Sequence, residues 1–580
     1  MNTSLTRSVN RNWLGESTSR LLKCCLALAV VSPALLMNTH SSYAQSADFD
    51  EGAALATLAA HPNPRMHYRR LSSPLRRKDE LWQGFQGLAQ PDTRRRVIAN
   101  FEAEIIEKSA AELQEAVAQG KLSYEEISRF FIARIIDIES SNTQFLNAVI
   151  ALNPKAIAAA QAADAQRLAR VNAGEAIPAD SLFGLPVLLK DNVGFEGLPT
   201  TAGAAALAEN LTQDAFVTTR LKSNGVVILG KANLSEWAYF FCRGCPSGYS
   251  ALGGQTLNPY GRFEFNTGGS SSGSGAAIAA GFAVAAVGSE TAGSILSPAS
   301  ANSLVGLKPT TGSLSRSGVV PIASTLDTLG PMGRNLADVV ALFNAMAGYD
   351  QADRAMPLIS ADLRLVLREA SIAGLRLGLP RALVDDPLIA AAVATLEAAG
   401  AEIVPVEFSP PDLPQEVEFM GAEMVRDLPA YLDTWAPPAV PVASLAEIKA
   451  FNEQAASQRM PYGQALVDGM AAFEASFVGQ PALMAERTEA LRALVVGETG
   501  GYLERLFEDN SLDALVRINN SGASAGAFAN FPALTMPVGY RDSGQPIGIT
   551  LYAPSFQEQR LVDLGAVLEA AGSLRVPPSF

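Results

Sequence analysis

An α/β fold, with parallel strand pairing and helices flanking the sheet, is predicted by three features of this 580-residue sequence. First, "GLPVLLKDN" is an apolar run ending in a charge, "DAFVTTRLKSNG" reads as a helix, and "VVILGKAN" is a second apolar run. Strand, helix and strand in that order build α/β cores with parallel pairing. Second, the same order returns at "GLRLGLP", an Ala-rich helix at 388–399, and "AEIVPVEF". Third, the length exceeds what one hydrophobic core usually fills, so a large domain with an accessory part, or two domains, is expected.

In chain order, residues 1–44 read as a secretory signal. Arg7, Arg11, Arg20 and Lys23 precede an apolar run, Cys24–Met37, and Ser42-Tyr43-Ala44 suits a cleavage site. The run is short and holds Pro33, which disfavours a permanent membrane anchor, so a periplasmic or secreted location is expected. Residues 45–103 form an N-terminal extension with a basic cluster, Arg65, Arg69, Arg70, Arg76, Arg77, Lys78 and Arg94–Arg96. Such a run is a solvated face or docks on an acidic body, and no catalytic role is assigned to it.

The main domain is expected over 104–580. "SAAELQEAVAQGKLSYEEISRFFIARIIDIE" carries apolar residues at three- and four-residue spacing, broken at Gly120-Lys121, and "NPKAIAAAQAADAQRLARVNAG" continues the helical pattern. After the second strand–helix–strand unit, residues 410–505 are mostly helical, interrupted by Pro437, Pro438 and Pro441, and read as an accessory region or lid. Strands return at "PALTMPVGY" and "PIGITLY" before a final helix. Met420, Met424, Tyr431, Trp435 and Tyr462 in and beside these helices suit either a pocket lining or a core.

The net charge of −14 argues against nucleic acid or an anionic membrane surface as the main partner and fits a small neutral substrate. Once the signal is removed, Cys242 and Cys245 in "FFCRGCPSG" are the remaining cysteines. In an oxidising compartment that spacing suits a local disulfide. A zinc site would need two further ligands, and His61 and His67 lie far upstream.

The segment "GGSSSGSGAAIAAGFAVAAVGSETAGSILSP", residues 268–298, is dense in glycine and serine. A flexible linker would not contain the helix-favouring Ala276–Ala280 or the buried-strand run Phe282–Gly288. Glycine permits positive φ and close approach, and successive N–H groups in such turns form anion-binding nests, so a nucleophilic serine beside an oxyanion site is a candidate. Serine needs a base, and the three histidines, His40, His61 and His67, all lie near the N-terminus. Lysine is the remaining base, provided that desolvation keeps its amine neutral. Lys190, Lys231 and Lys308 each leave an apolar strand and are candidates.

"FGLPVLLKDN", "GGSSSGSGAAIAAG", "GSETAGSILSPAS", "GLKPTTG", "NFPALTMPVGY" and "GQPIGITLY", in this order, resemble the amidase signature hydrolases from about Glu104 to the C-terminus. The resemblance implies a large mixed sheet flanked by helices on both faces, and hydrolysis of an amide through an acyl-enzyme without metal or cofactor. It implies Ser294 as nucleophile, Ser270 as a bridging serine on a cis peptide, Lys190 as terminal base, and the N–H groups of Thr291, Ala292, Gly293 and Ser294 as oxyanion hole. Three positions depart from the family: Glu290 where aspartate is frequent, Leu296 where arginine is frequent, and Ala292 where glycine or aspartate is common. A polar link between 290 and 296 is therefore expected to be missing. "LSEWAYF", "GGQTLNPYG" and "FNEQAASQRMPYGQ" resemble the bacterial peptide amidases, which implies linear carboxamide or peptide amide substrates. The alternatives are an inactive amide-binding protein and an amidotransferase-like subunit.

Overall fold

The computed structural model describes residues 49–361 and 363–580; the expected signal sequence, with Cys24, Cys25 and His40, lies outside them. Among the described residues thirteen strands are present: β1 (Val149–Leu152), β2 (Pro186–Lys190), β3 (Val227–Ala232), β4 (Tyr249–Ser250), β5 (Gly254–Gln255), β6 (Ala285–Glu290), β7 (Val305–Lys308), β8 (Thr328–Gly333), β9 (Arg376–Pro380), β10 (Glu402–Val406), β11 (Ala514–Ile518), β12 (Ala533–Tyr540) and β13 (Pro546–Tyr552). Eleven of them form one sheet in the order β1-β3-β2-β6-β8-β7-β12-β13-β11-β9-β10, while β4 and β5 pair separately.

Both strand–helix–strand units pair in parallel as the sequence predicts, β2 with β3 and β9 with β10. Between them the sheet turns antiparallel through β6–β8, β8–β7, β7–β12 and β12–β13, which makes it mixed. The strand expected at Phe282–Gly288 runs instead from Ala285 to Glu290, where the parallel register with β2 holds it.

Helices flank the sheet, and their starts follow from local chemistry. Ser109 and Glu112 form a reciprocal capping box for Ala110–Ala118, and Ser123 and Glu126 form another for Tyr124–Glu139. The latter helix buries eleven of its sixteen residues, among them Ile127, Phe130, Phe131 and Ile135. The extension joins the same packed unit. Phe49 packs edge-on against Phe145 at 5.1 Å, Lys78 pairs with buried Glu139 at 3.2 Å, and Arg94 pairs with Asp137 at 2.9 Å. The helix Pro91–Ile105 runs through residue 103, where a boundary is expected.

The accessory region contains the helices Gln415–Trp435, Leu445–Glu453, Ala465–Ser476, Pro481–Val495 and Gly501–Asn510. The apolar faces of the first four form a second core with Trp237, Phe240, Phe241, Val320, Ile322 and Phe528, while Leu503 and Phe507 of the last pack in a third. Met424 and Tyr431 are buried in the second core, and Met420, Trp435 and Tyr462 pack on it. The same core takes in Ala292, so the helices reach the loop that the sequence singles out.

Candidate active site

Parallel pairing sends the C-terminal ends of β2, β3 and β6 to one edge of the sheet, the edge at which open α/β sheets bind ligands. Lys190 is the last residue of β2 and is fully buried. Its amine lies 2.8 Å from Ser270 Oγ, 2.9 Å from Ser289 Oγ and 3.0 Å from Ser289 O. Burial lowers the Lys190 amine to about 7, against the opposing attraction of Asp327 and Glu290. A neutral amine has two hydrogens and one lone pair. The carbonyl and hydroxyl of Ser289 accept the two hydrogens, which leaves the lone pair for the Ser270 hydroxyl. Asn192, two residues along the chain, donates from Nδ2 to Ser289 Oγ at 2.9 Å and holds that hydroxyl in place.

The other two lysines are anchored elsewhere. Lys231 donates to Val193 O at 2.5 Å and pairs with buried Asp191 at 3.4 Å. Lys308 donates to Phe531 O at 2.9 Å and to Pro309 O at 3.2 Å. Burial lowers both amines, but their neighbours make them ties between loops.

The Gly/Ser segment resolves into a turn, a helix Ser272–Ala279, strand β6 and a second turn. The Gly269–Ser270 peptide is cis. Gly268 sits at φ 69, where a Cβ would come within 2.6 Å of Ser297 O, so only glycine fits. Several of the hydroxyls hold backbone. Ser272 Oγ donates to Gly268 O at 2.7 Å, and Ser271 Oγ donates to Ser289 O at 3.0 Å. The Ser271 N–H donates to Ser294 O at 3.1 Å, which seats the Ser294 turn beside Ser270.

That turn is fastened by Glu290. Its Oε1 accepts the Gly293 N–H at 2.7 Å, and its Oε2 accepts the N–H groups of Ile295 at 2.7 Å and Leu296 at 3.0 Å. Two sequence expectations change here. The polar link between positions 290 and 296 exists, made through the Leu296 backbone instead of a side chain. Gly293 has already given its N–H to Glu290 and is not free for an oxyanion; its part is conformational, at φ 92. Among the described residues, the N–H groups of Thr291, Ala292 and Ser294 make no hydrogen bond to protein. Free N–H groups clustered in one turn in this way suit a developing negative charge.

The Sγ atoms of Cys242 and Cys245 lie in bonding contact. Their loop is tied to the accessory region, where Phe241 O accepts the Leu466 N–H at 3.2 Å, and closed on itself by Tyr239 Oη, which donates to Cys245 O at 2.6 Å.

Sequence reasoning misses Ser289, Asn192 and Asp327, which lies beyond Thr291. The first two lie inside the quoted motifs, which is the available signal. Asp327 stands outside all of them and can be found only through strand register.

The chain is similar to known amidases. The family described as Amidase matches residues 126–462. A probable amidase of Arabidopsis thaliana is 35% identical over 493 residues, covering 82% of this chain and 92% of that protein. The crystal structure of the native peptide amidase from Stenotrophomonas maltophilia superimposes with a TM-score of 0.73 at 35% identity, covering 82% of this chain and 99% of that one. A glutamyl-tRNA(Gln) amidotransferase subunit of Deinococcus radiodurans is 31% identical over 509 residues, covering 81% of this chain and 98% of that protein.

Proposed function

Since this chain belongs to the amidase family, whose enzymes hydrolyse amides, we propose that it is a serine amidase with Ser294 as nucleophile, Ser270 as relay and Lys190 as base. The observation that carries the reading is the Lys190 amine, buried and 2.8 Å from Ser270 Oγ, with Ser289 accepting its other hydrogens.

Ser294 Oγ attacks the amide carbonyl carbon while its proton passes to Ser270 and that of Ser270 to neutral Lys190. The N–H groups of Thr291, Ala292 and Ser294 hold the oxyanion. The C–N bond then breaks, and the leaving nitrogen takes the proton back through Ser270. Water attacks the acyl-Ser294 ester along the same route and regenerates the serine. Each oxyanion donor removed from such a site costs about 10²- to 10³-fold in kcat, so the geometry of the 291–294 loop ranks with the base itself.

The similarity to a peptide amidase supports linear carboxamides, peptide amides first, as substrates. The signal-like residues 1–44 and the adjoining sulfurs of Cys242 and Cys245 support an exported enzyme. The similarity to an amidotransferase component favours a second reading, a protein that acts within a complex. Purified chain assayed alone on peptide carboxamides, with Ser294→Ala beside it, separates the readings. Serine-dependent release of ammonia without added partners is expected. No turnover until partner proteins are supplied would favour the second reading, and turnover by Ser294→Ala would exclude the assigned nucleophile.

A further inference from the structure

We propose, resting on the amide-hydrolysis reading, that Asp327 is a positioning residue for the Thr291–Ser294 loop and carries the seating of the accessory helix Gln415–Trp435 into it. The β6–β8 ladder ends with Glu290 opposite Thr328. One step further, Thr291 and Asp327 stand opposite each other, and their side chains continue the ladder: Thr291 Oγ1 donates to Asp327 Oδ1 at 2.6 Å. Asp327 Oδ2 accepts the N–H groups of Ile322 at 2.8 Å and Ala323 at 3.0 Å, closing residues 322–327 into a tight loop.

The far side of that loop is held by the accessory helix. Glu423 accepts the Thr325 N–H at 2.9 Å and its hydroxyl at 2.8 Å, and Asp427 accepts the Ser324 N–H at 2.8 Å. Arg426 donates to Glu423, Asp427 and Ser324 Oγ, keeping both carboxylates turned toward the loop. A continuous set of charge-assisted bonds therefore runs from the helix through 322–327 to Thr291. Such bonds are shorter and stronger than neutral ones, so they fix orientation as well as contact.

Thr291 C=O and Ala292 N–H share one peptide plane, so the bond that fixes the Thr291 side chain also limits where the Ala292 N–H points. Asp327 is itself buried, and burial pushes its carboxyl up to about 6. The charged groups that act on it are Arg316, from the preceding loop, and Lys190 from β2; Glu290 of β6 acts on the same lysine, and Glu423, Arg426 and Asp427 of the accessory helix bind the far side of the 322–327 loop. Its charge draws the Lys190 amine toward protonation.

Steady-state kinetics on a peptide carboxamide, across pH, test the inference with Asp327→Asn, Thr291→Val and Thr291→Ser in the full chain. Asp327→Asn and Thr291→Val are expected to lower kcat by about 10- to 100-fold, less than the loss of a whole oxyanion donor, with KM nearly unchanged. Thr291→Ser, which keeps the hydroxyl, recovers most of that loss. The two losses do not add in the double variant, because one bond is broken twice. In Asp327→Asn the acid limb of kcat/KM moves to lower pH, since Lys190 loses an attracting charge; damage to packing alone would not move it. Glu423→Gln lowers kcat in the same sense by a smaller factor. A Ser294→Ala protein that still hydrolyses the amide overturns the underlying reading. An inactive Ser294→Ala beside an Asp327→Asn or Thr291→Val with parental kcat, additive losses, or an unmoved acid limb overturns this inference alone. An unchanged kcat in Glu423→Gln removes the accessory helix from it.

Discussion

With Lys190 as the proposed base, its protonation would set the pH dependence of activity. In the structure the amine is fully buried and lowered to about 7, from an ordinary value of 10.5. Half of the molecules then hold a neutral base at pH 7, whereas about one in 3,000 would do so with an unperturbed lysine. Burial thus contributes roughly three decades of active species at neutral pH. The sign follows from the chemistry: the neutral form works, so activity is complete above the folded-state value and is lost as pH falls through it. The expected kcat/KM profile is a plateau above pH 8 and an acid limb with its midpoint near 7. Lys190→Arg keeps size and charge but cannot give up its proton, and should lose about 10²- to 10⁴-fold across the whole range. Initial rates on one peptide carboxamide from pH 4 to 10, for parent and variant, measure both. A midpoint at 4–5, where an unperturbed carboxylate titrates, or a Lys190→Arg protein within tenfold of the parent, would refute the assignment of the base.

Three more predictions follow from the surroundings of the site. Lys308→Met leaves the carbonyls of Phe531 and Pro309 without their donor, so thermal denaturation should show a loss of about 1–3 kcal/mol while turnover per folded molecule is retained. Glu290→Gln turns an amide N–H₂ toward N–H groups that the carboxylate accepts; melting temperature and kcat should both fall, and a parental kcat would show that the turn holds without it. Mass spectrometry of unreduced peptides should find Cys242 and Cys245 joined, with little change in stability on reduction, because so short a loop restricts the unfolded chain little. Two free thiols would contradict the pairing.

Much of the fold is legible in local sequence because its first parallel unit is buried throughout and its strands open as apolar runs, PVLL in β2 and VIL in β3. The centre of the sheet is not. β8 is "TLGPMG", which by composition reads as a turn, yet all six residues are buried between β6 and β7. There the neighbours override the local preference of glycine and proline. β1, "VIAL", is four residues long between two helices and gives too short a signal for periodicity. At the site, strand pattern alone leaves three lysines equivalent, and the motifs around Lys190 separate them. The partners Ser289 and Asp327 are set by cross-strand register, which a single sequence does not display. The proposed oxyanion loop reads one donor too wide, because nothing in "SETAGS" shows that the glutamate turns back onto its own glycine.

The central claim, that Ser294 is the nucleophile and Ser270 its relay, is tested most directly by a fluorophosphonate label followed by peptide mapping. Ser270 is fully buried while Ser294 keeps 9% exposure, so the two are distinguishable by access as well as by role. A single adduct on the peptide carrying Ser294, absent from Ser294→Ala and greatly slowed in Lys190→Ala, is the predicted result. An adduct on Ser270, or labelling that proceeds unchanged without Lys190, would contradict it.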